Sequence, residues 1–210
     1  MYDPLEGWEA GELDPWLHCS HEISAEEAEA NTVGITSTSP GVDRTTVRLL
    51  KAGWEYLGDK VRDLFNRCLS EAYYLRPWRL AEVAMIPKAG KRDLSSFRSW
   101  RPIALISCLG KGLERTMAKR MTWAAVKAGI VSLQQAGALP GRSATDLVAS
   151  FLYDTEWALV MRRVVSILTM DVQGAFDALL RRRLLCRLRQ QGWDINTLRL
   201  IDSFLTDRRV

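Results

Sequence analysis

Ile167-Leu168-Thr169-Met170-Asp171-Val172-Gln173-Gly174-Ala175-Phe176-Asp177 is the stretch on which the reading of this chain turns. An apolar run ends in a carboxylate, followed by small residues, an aromatic ring and a second carboxylate. The run from Val164 to Met170 predicts a buried strand with Asp171 at its end. A carboxylate in such a place loses hydration and needs a cation or a set of hydrogen bonds. Two readings fit: a ligand for a divalent cation, or an Asp that ends a strand and caps a turn, which is the commoner use of such a residue. Asp177 falls where a following helix begins, and N-capping accounts for it. Gly174 and Ala175 leave room for a ligand to approach closely, and suit an ordinary tight turn equally.

The flanks supply the rest of the architecture. Downstream, Leu180, Leu184, Leu185 and Leu188 predict a helix whose exposed side carries Arg181, Arg182, Arg183, Arg187 and Arg189, and a last helix follows over 195–205. Upstream, Leu80 to Ile86 predicts a short strand stopped by Pro87, and Arg101 to Ile106 a second extended segment. These two can pair as a hairpin with cations at its tip and base. Leu113, Met117, Met121 and Ala124 predict a helix after Gly110. A Gly-rich turn over 137–141 leads into another, starting near Ser143 or Ala144 and running past Trp157. Between Thr45 and Leu69, apolar spacings of three and four predict one or two amphipathic helices with a break near Gly58. Ser24-Ala25-Glu26-Glu27 has the pattern of a capping box for a short helix.

Composition narrows the class. With 210 residues, 47% hydrophobic and 26% charged, the chain is globular in character, and no apolar run approaches the roughly 18–20 residues of a membrane span. The acidic start lacks the basic residues of a signal peptide. Cys19, Cys68, Cys108 and Cys186 stand singly, which predicts reduced and mostly buried thiols in an intracellular setting. Residues 1–43 hold ten acids and no Lys or Arg, so all 29 basic residues and 15 of the 25 acids lie in 44–210, a net charge of +14. A body that basic attracts polyanions. His18 and Cys19 have no partner cluster for zinc, and with both His in the first 21 residues a Ser-His-Asp site in the body is excluded. Trp78, Trp100 and Trp123 predict core or strand-edge packing, with base stacking as the functional alternative.

Several blocks resemble one family. Ile86-Pro87-Lys88-Ala89-Gly90-Lys91, Arg101-Pro102-Ile103-Ala104-Leu105-Ile106-Ser107 and Gly110-Lys111-Gly112-Leu113-Glu114-Arg115 resemble the fingers of reverse transcriptases from non-LTR retrotransposons. Gln135 to Asp146 resembles that family's next block, and Met170 to Asp177 its first catalytic motif. Ser39-Pro40-Gly41-Val42-Asp43 and Ser203-Phe204-Leu205-Thr206-Asp207-Arg208 resemble flanking signatures. The blocks cover about residues 36–210 in the family's order.

The resemblance implies an α+β chain: part of a right-hand polymerase fold, with helical fingers and a β-hairpin leading into the first part of a βαββαβ palm. Residues 1–35 would be an acidic, mobile lead-in, 36–163 the fingers and start of the palm, and 164–210 the first palm strand with the helices after it. Asp171 would be the catalytic Mg²⁺ ligand, with the Val172 backbone carbonyl as a further ligand. Phe176 would be a steric gate against a ribose 2′-hydroxyl. Lys88, Lys91 and Arg101 would face the incoming triphosphate, and Arg142 and Ser143 a template or primer phosphate. The partners would be an RNA template, a DNA primer and dNTPs, with two Mg²⁺ in the complete site, nuclear action and no membrane.

Two departures bear on activity. Ala138 and Leu139 stand where the family usually carries aromatics. No two Asp are adjacent anywhere in the 210 residues, whereas the family completes its metal site with an aromatic-Ala-Asp-Asp turn. The chain is therefore expected to be the opening half of a polymerase, inactive alone and weak in Mg²⁺ binding. The alternatives are a non-catalytic nucleic-acid-binding remnant and a domesticated or pseudogene product. Within the family, a group II intron protein is the second choice, since Ala104 to Ser107 stands in place of the Gly-Ile-Pro run common there.

Overall fold

The computed structural model describes residues 16–20, 22–36, 39–90, 93–132, 134–172, 174–175 and 178–209. They form two compact units, one of residues 1–121 with 181–210, the other of residues 122–180.

The first unit begins with α1 (Ala25–Thr32), whose N-cap Ser24 accepts the Glu27 N–H at 3.2 Å. Thr46 caps α2 (Val47–Ala52) in the same way, and α3 (Trp54–Ser70) follows at once. The break between them lies at Gly53, not near Gly58. Gly58 stays inside α3, where the Trp54 indole covers it so closely that a Cβ would stand 3.1 Å from Nε1. Val61, Phe65, Cys68 and Leu69 form the buried stripe of α3. They meet Ile23, Ala28, Tyr74, Trp78, Leu113 and Leu200 in the main core. Phe65 and Leu113 are nearly or wholly inaccessible, and each side chain of this kind contributes about 1.5–3 kcal/mol by burial. Tyr74 stands edge-on to both Trp78 and Phe204, with ring centroids 5.6 and 5.2 Å away.

Part of the expected lead-in belongs to this core. Leu17, Cys19 and Ile23 are buried, and Asn66 holds the Ile23 N–H at 2.6 Å. The acids there are neutralised in part by Arg120, which pairs with Glu27 and donates to the Glu22 carbonyl at 2.6 Å. Leu17, Cys19, Ile23 and α1 are thus packed and not free. Their few apolar side chains outweigh the acidic composition that suggested mobility.

The hairpin is present. β1 (Glu82–Pro87) pairs antiparallel with β2 (Trp100–Leu105), from Glu82 opposite Leu105 to Pro87 opposite Trp100, and Lys88 N–H donates onward to Ser99 O at 2.8 Å. Two strands leave each an outer edge, so Pro87 and Pro102 are accommodated. Next, α4 (Cys108–Lys127) opens against the core. α6 (Arg181–Gln190) packs on α7 (Ile195–Leu205), with Leu185 and Leu198 buried, and α7 closes the core through Leu200.

In the second unit, α5 (Ala144–Val160) carries the capping box at Ser143 and has no buried residue. The expected strand over Val164 to Met170 does not form: residues 163–172 have no regular structure. Val164, Leu168 and Met170 are 94, 83 and 86% exposed. A strand needs a neighbour to take up its N–H and C=O groups. Among the described residues the only sheet is β1 with β2, so the apolar pattern of 164–170 has nothing to pair with.

Candidate functional site

The hairpin brings two of the expected cations together. Arg101 stands opposite Ile86, and the alternation of side chains puts Lys88, two residues on, on the face that Arg101 shares. Arg101 is exposed, whereas Lys88 is half-buried and donates from Nζ to the Arg98 carbonyl at 2.8 Å. This bond holds the ammonium at the hairpin's end instead of leaving it on a loose stem. Lys91 lies outside the described residues, as do Phe176 and Asp177.

Arg142 and Ser143 sit at the start of α5. Ser143 accepts the Asp146 N–H at 3.2 Å, while its own N–H and hydroxyl both donate to Asp146 Oδ2 at 2.8 Å. The Ser143 hydroxyl, followed by its backbone N–H, holds the Asp146 carboxyl below its ordinary range. A carboxylate of the chain's own therefore already occupies this helix start. Arg142 donates from Nη1 to Gln135 O at 2.7 Å and borders a groove of about 540 Å³ with Gln134, Gln135, Ser150 and Asp154.

Asp171 and Val172 are exposed on the irregular segment. The desolvation expected at a buried strand end is absent. Among the described residues no three His, Cys, Asp or Glu come together as a metal site. The described residues thus do not gather the several oxygens that a hard divalent cation takes. Of the three Trp, Trp78 is in the core and Trp100 donates from Nε1 to Leu94 O at 3.0 Å, while Trp123 is exposed with Lys127 Nζ 4.7 Å above its ring.

Several residues of the quoted blocks have structural work that sequence alone did not assign. A Cβ on Gly41 would stand 2.5 Å from the Ile106 carbonyl carbon, so the Ser39-Pro40-Gly41 block packs directly on the end of the Arg101 block. Gly110 lies under Tyr74 and Trp78, and Gly112 under Thr32 and Phe65. Glu114 accepts the Tyr74 hydroxyl at 2.7 Å, and Arg115 donates to Asn31 O at 2.9 Å. Burial pushes the Glu114 carboxyl above its ordinary value, partly offset by the Tyr74 hydrogen bond and by Arg208. Burial, followed by Glu114 itself, pushes the Tyr74 hydroxyl up as well.

The blocks that belong to the first unit thus meet in space as well as in order. Residues 86–209 match the model of the reverse transcriptase (RNA-dependent DNA polymerase) family, which is more than half of the chain. This chain belongs to the reverse transcriptase family. It is 32% identical over 148 residues to the Retrovirus-related Pol polyprotein from type-1 retrotransposable element R1 of Bradysia coprophila, covering 67% of this chain and 14% of that protein. It is 29% identical over 197 residues to the R2 counterpart from Popillia japonica, covering 90% of this chain and 25% of that one. A probable RNA-directed DNA polymerase from transposon BS of Drosophila melanogaster is 28% identical over 171 residues, 81% of this chain and 19% of that protein. The chain therefore spans a quarter or less of the length of these non-LTR relatives. None of its described helices is long and apolar enough to cross a membrane.

Proposed function

We propose that this chain contributes the fingers hairpin and the first catalytic-carboxylate segment of a retrotransposon RNA-directed DNA polymerase. The full activity would extend a DNA primer with dNTPs on an RNA template, on a right-hand fold with a βαββαβ palm, in the nucleus. The observation that carries this is the hairpin face shared by Lys88 and Arg101, within a family match that runs from 86 to 209. Cations fixed on one face oppose a triphosphate and stabilise the charge that grows on leaving pyrophosphate. Lys91 adds to them, Phe176 bars a 2′-hydroxyl, and Arg142 with Ser143 takes a template or primer phosphate. Asp171 and the Val172 carbonyl occupy the family's metal position. With no adjacent pair of Asp in the 210 residues to complete the acidic cluster, the chain alone does not polymerise.

Photo-crosslinking of labelled dNTP to the purified chain tests the hairpin, and Arg101→Ala should lower the yield by about fivefold, close to 1 kcal/mol. Undiminished crosslinking in that variant refutes the hairpin role. Template-dependent incorporation by the 210-residue chain, abolished by Asp171→Ala, refutes its inactivity alone.

A second reading, nucleic-acid binding without catalysis, is favoured by the exposed Asp171 and the net charge of +14 over 44–210. Absence of any RNA or DNA gel shift at low salt disposes of it.

A further inference from the structure

The surface of α6 carries a charge pattern that the hairpin and the α5 turn do not use. Arg181–Gln190 holds five Arg and no acid. Asp202 on the packed helix α7 accepts from Arg181 Nε and Nη2, one edge of the guanidinium, at 2.6 and 2.7 Å, and so ties that one Arg to α7. Arg182, Arg183, Cys186, Arg187 and Gln190 line an open groove of about 470 Å³ along the other face, and all five are exposed. Leu185, wholly buried, anchors the helix from behind.

We propose that this groove binds the phosphate backbone of a single-stranded polynucleotide. Guanidinium forks match phosphate oxygens in pairs, which makes a row of Arg a better phosphate surface than a row of Lys. From Arg182 to Gln190 the helix rises about 12 Å, which spans three or four phosphates at roughly 3.4 Å per nucleotide of a stacked strand. The lining has no aromatic side chain, so it grips the backbone and not the bases, and is indifferent to sequence. One row of cations on one helix reaches one row of phosphates; a duplex gripped across its roughly 12 Å major groove would ask for two. The choice of polynucleotide over another polyanion rests on the family reading, whereas the location of the surface rests on α6 alone.

Cys186 makes the test direct. It lies in the groove and is exposed, while Cys19, Cys68 and Cys108 are buried. Alkylation of Cys186 by N-ethylmaleimide on the intact chain therefore reports on the groove. A 20-nucleotide oligouridylate at low salt should slow that alkylation severalfold, and added salt should restore it. In an Arg183→Ala/Arg187→Ala variant the protection should disappear and the salt slope of binding should fall by about 1.4, two contacts at ~0.7 each. Both Arg are exposed, so an unchanged thermal transition verifies that the variant is folded. Oligonucleotide binding that leaves Cys186 fully reactive overturns the proposal and leaves the hairpin reading intact. Protection by duplex DNA but not by the single strand overturns it too. Failure of the natural chain to crosslink dNTP at the hairpin, with Cys186 still protected by the oligouridylate, would strike the hairpin reading alone.

Discussion

Arg79 donates from Nη2 to Ser203 Oγ at 2.8 Å, and the same oxygen accepts the Tyr74 N–H at 2.9 Å. Arg79 is 5% exposed, and its Nε donates to the Tyr74 carbonyl at 3.0 Å. One serine on α7 thus satisfies a buried guanidinium and a backbone donor at the entry to the hairpin. Ser203 begins one of the blocks that carry the family resemblance, and this contact gives that position a reason in packing. Ser203→Ala leaves the Tyr74 N–H without its acceptor and takes from Arg79 Nη2 one of its two, the Tyr74 carbonyl remaining, and should lower the unfolding free energy by about 1–3 kcal/mol. Urea denaturation measures it, and a loss under ~0.5 kcal/mol, the scale of ordinary surface changes, would show that the contact is dispensable.

Gly112 offers a steric test of the same core. A Cβ there would stand 2.6 Å from Thr32 Oγ1 and 3.1 Å from Phe65 Cζ, both on wholly buried side chains. Neither can retreat without disturbing α1 or α3, so Gly112→Ala should cost about 1–3 kcal/mol by overpacking. At Gly137 a Cβ would meet nothing within 4 Å, and Gly137→Ala should be close to neutral. Equal thermal shifts in the two variants would contradict the close approach of α4.

These two cases show what the sequence disclosed and what it withheld. Helices α3 to α7 and the hairpin were legible because their periodicities and caps are local: Ser143 before Asp146, Asp194 before Thr197. The fate of 164–170 was not, because an apolar run says that a strand wants burial and cannot say whether a partner stands beside it. The break at Gly53 was misplaced to Gly58 because a glycine in a sequence looks the same whether it bends a helix or admits a Trp ring. Arg79 and Glu114 escaped notice because burial of a charge depends on contacts across as many as 127 residues of chain.

Glu114 makes the stability of the first unit depend on pH. Burial raises its folded-state pKa above that of the unfolded chain, so the folded state binds the proton more tightly. The resulting stabilisation is full below the ordinary glutamate range and is lost as pH rises through the raised value. Glu114→Gln keeps an acceptor for the Tyr74 hydroxyl and removes the titration. Subtracting the variant's unfolding free energy from that of the natural chain, from about pH 4 to 7, should leave a difference that moves against the natural chain with rising pH. A flat difference, or one of opposite sign, would mean that Tyr74 and Arg208 outweigh the burial.

Asp171 separates a role in chemistry from a role in folding. Exposed on a segment without regular structure, it makes no contact on which the fold depends. Asp171→Ala should therefore change stability by less than ~0.5 kcal/mol, as for other surface positions. If instead Asp171 ended a buried strand and held its turn, the loss would reach about 1 kcal/mol or more, the worth of a capping hydrogen bond. The same variant joins the two halves of the argument. Supplied with whatever completes the acidic cluster, a chain carrying Asp171→Ala should show no dNTP incorporation while melting at an unchanged temperature. Retained incorporation would remove Asp171 from the chemistry, and a lowered melting temperature would return it to the fold.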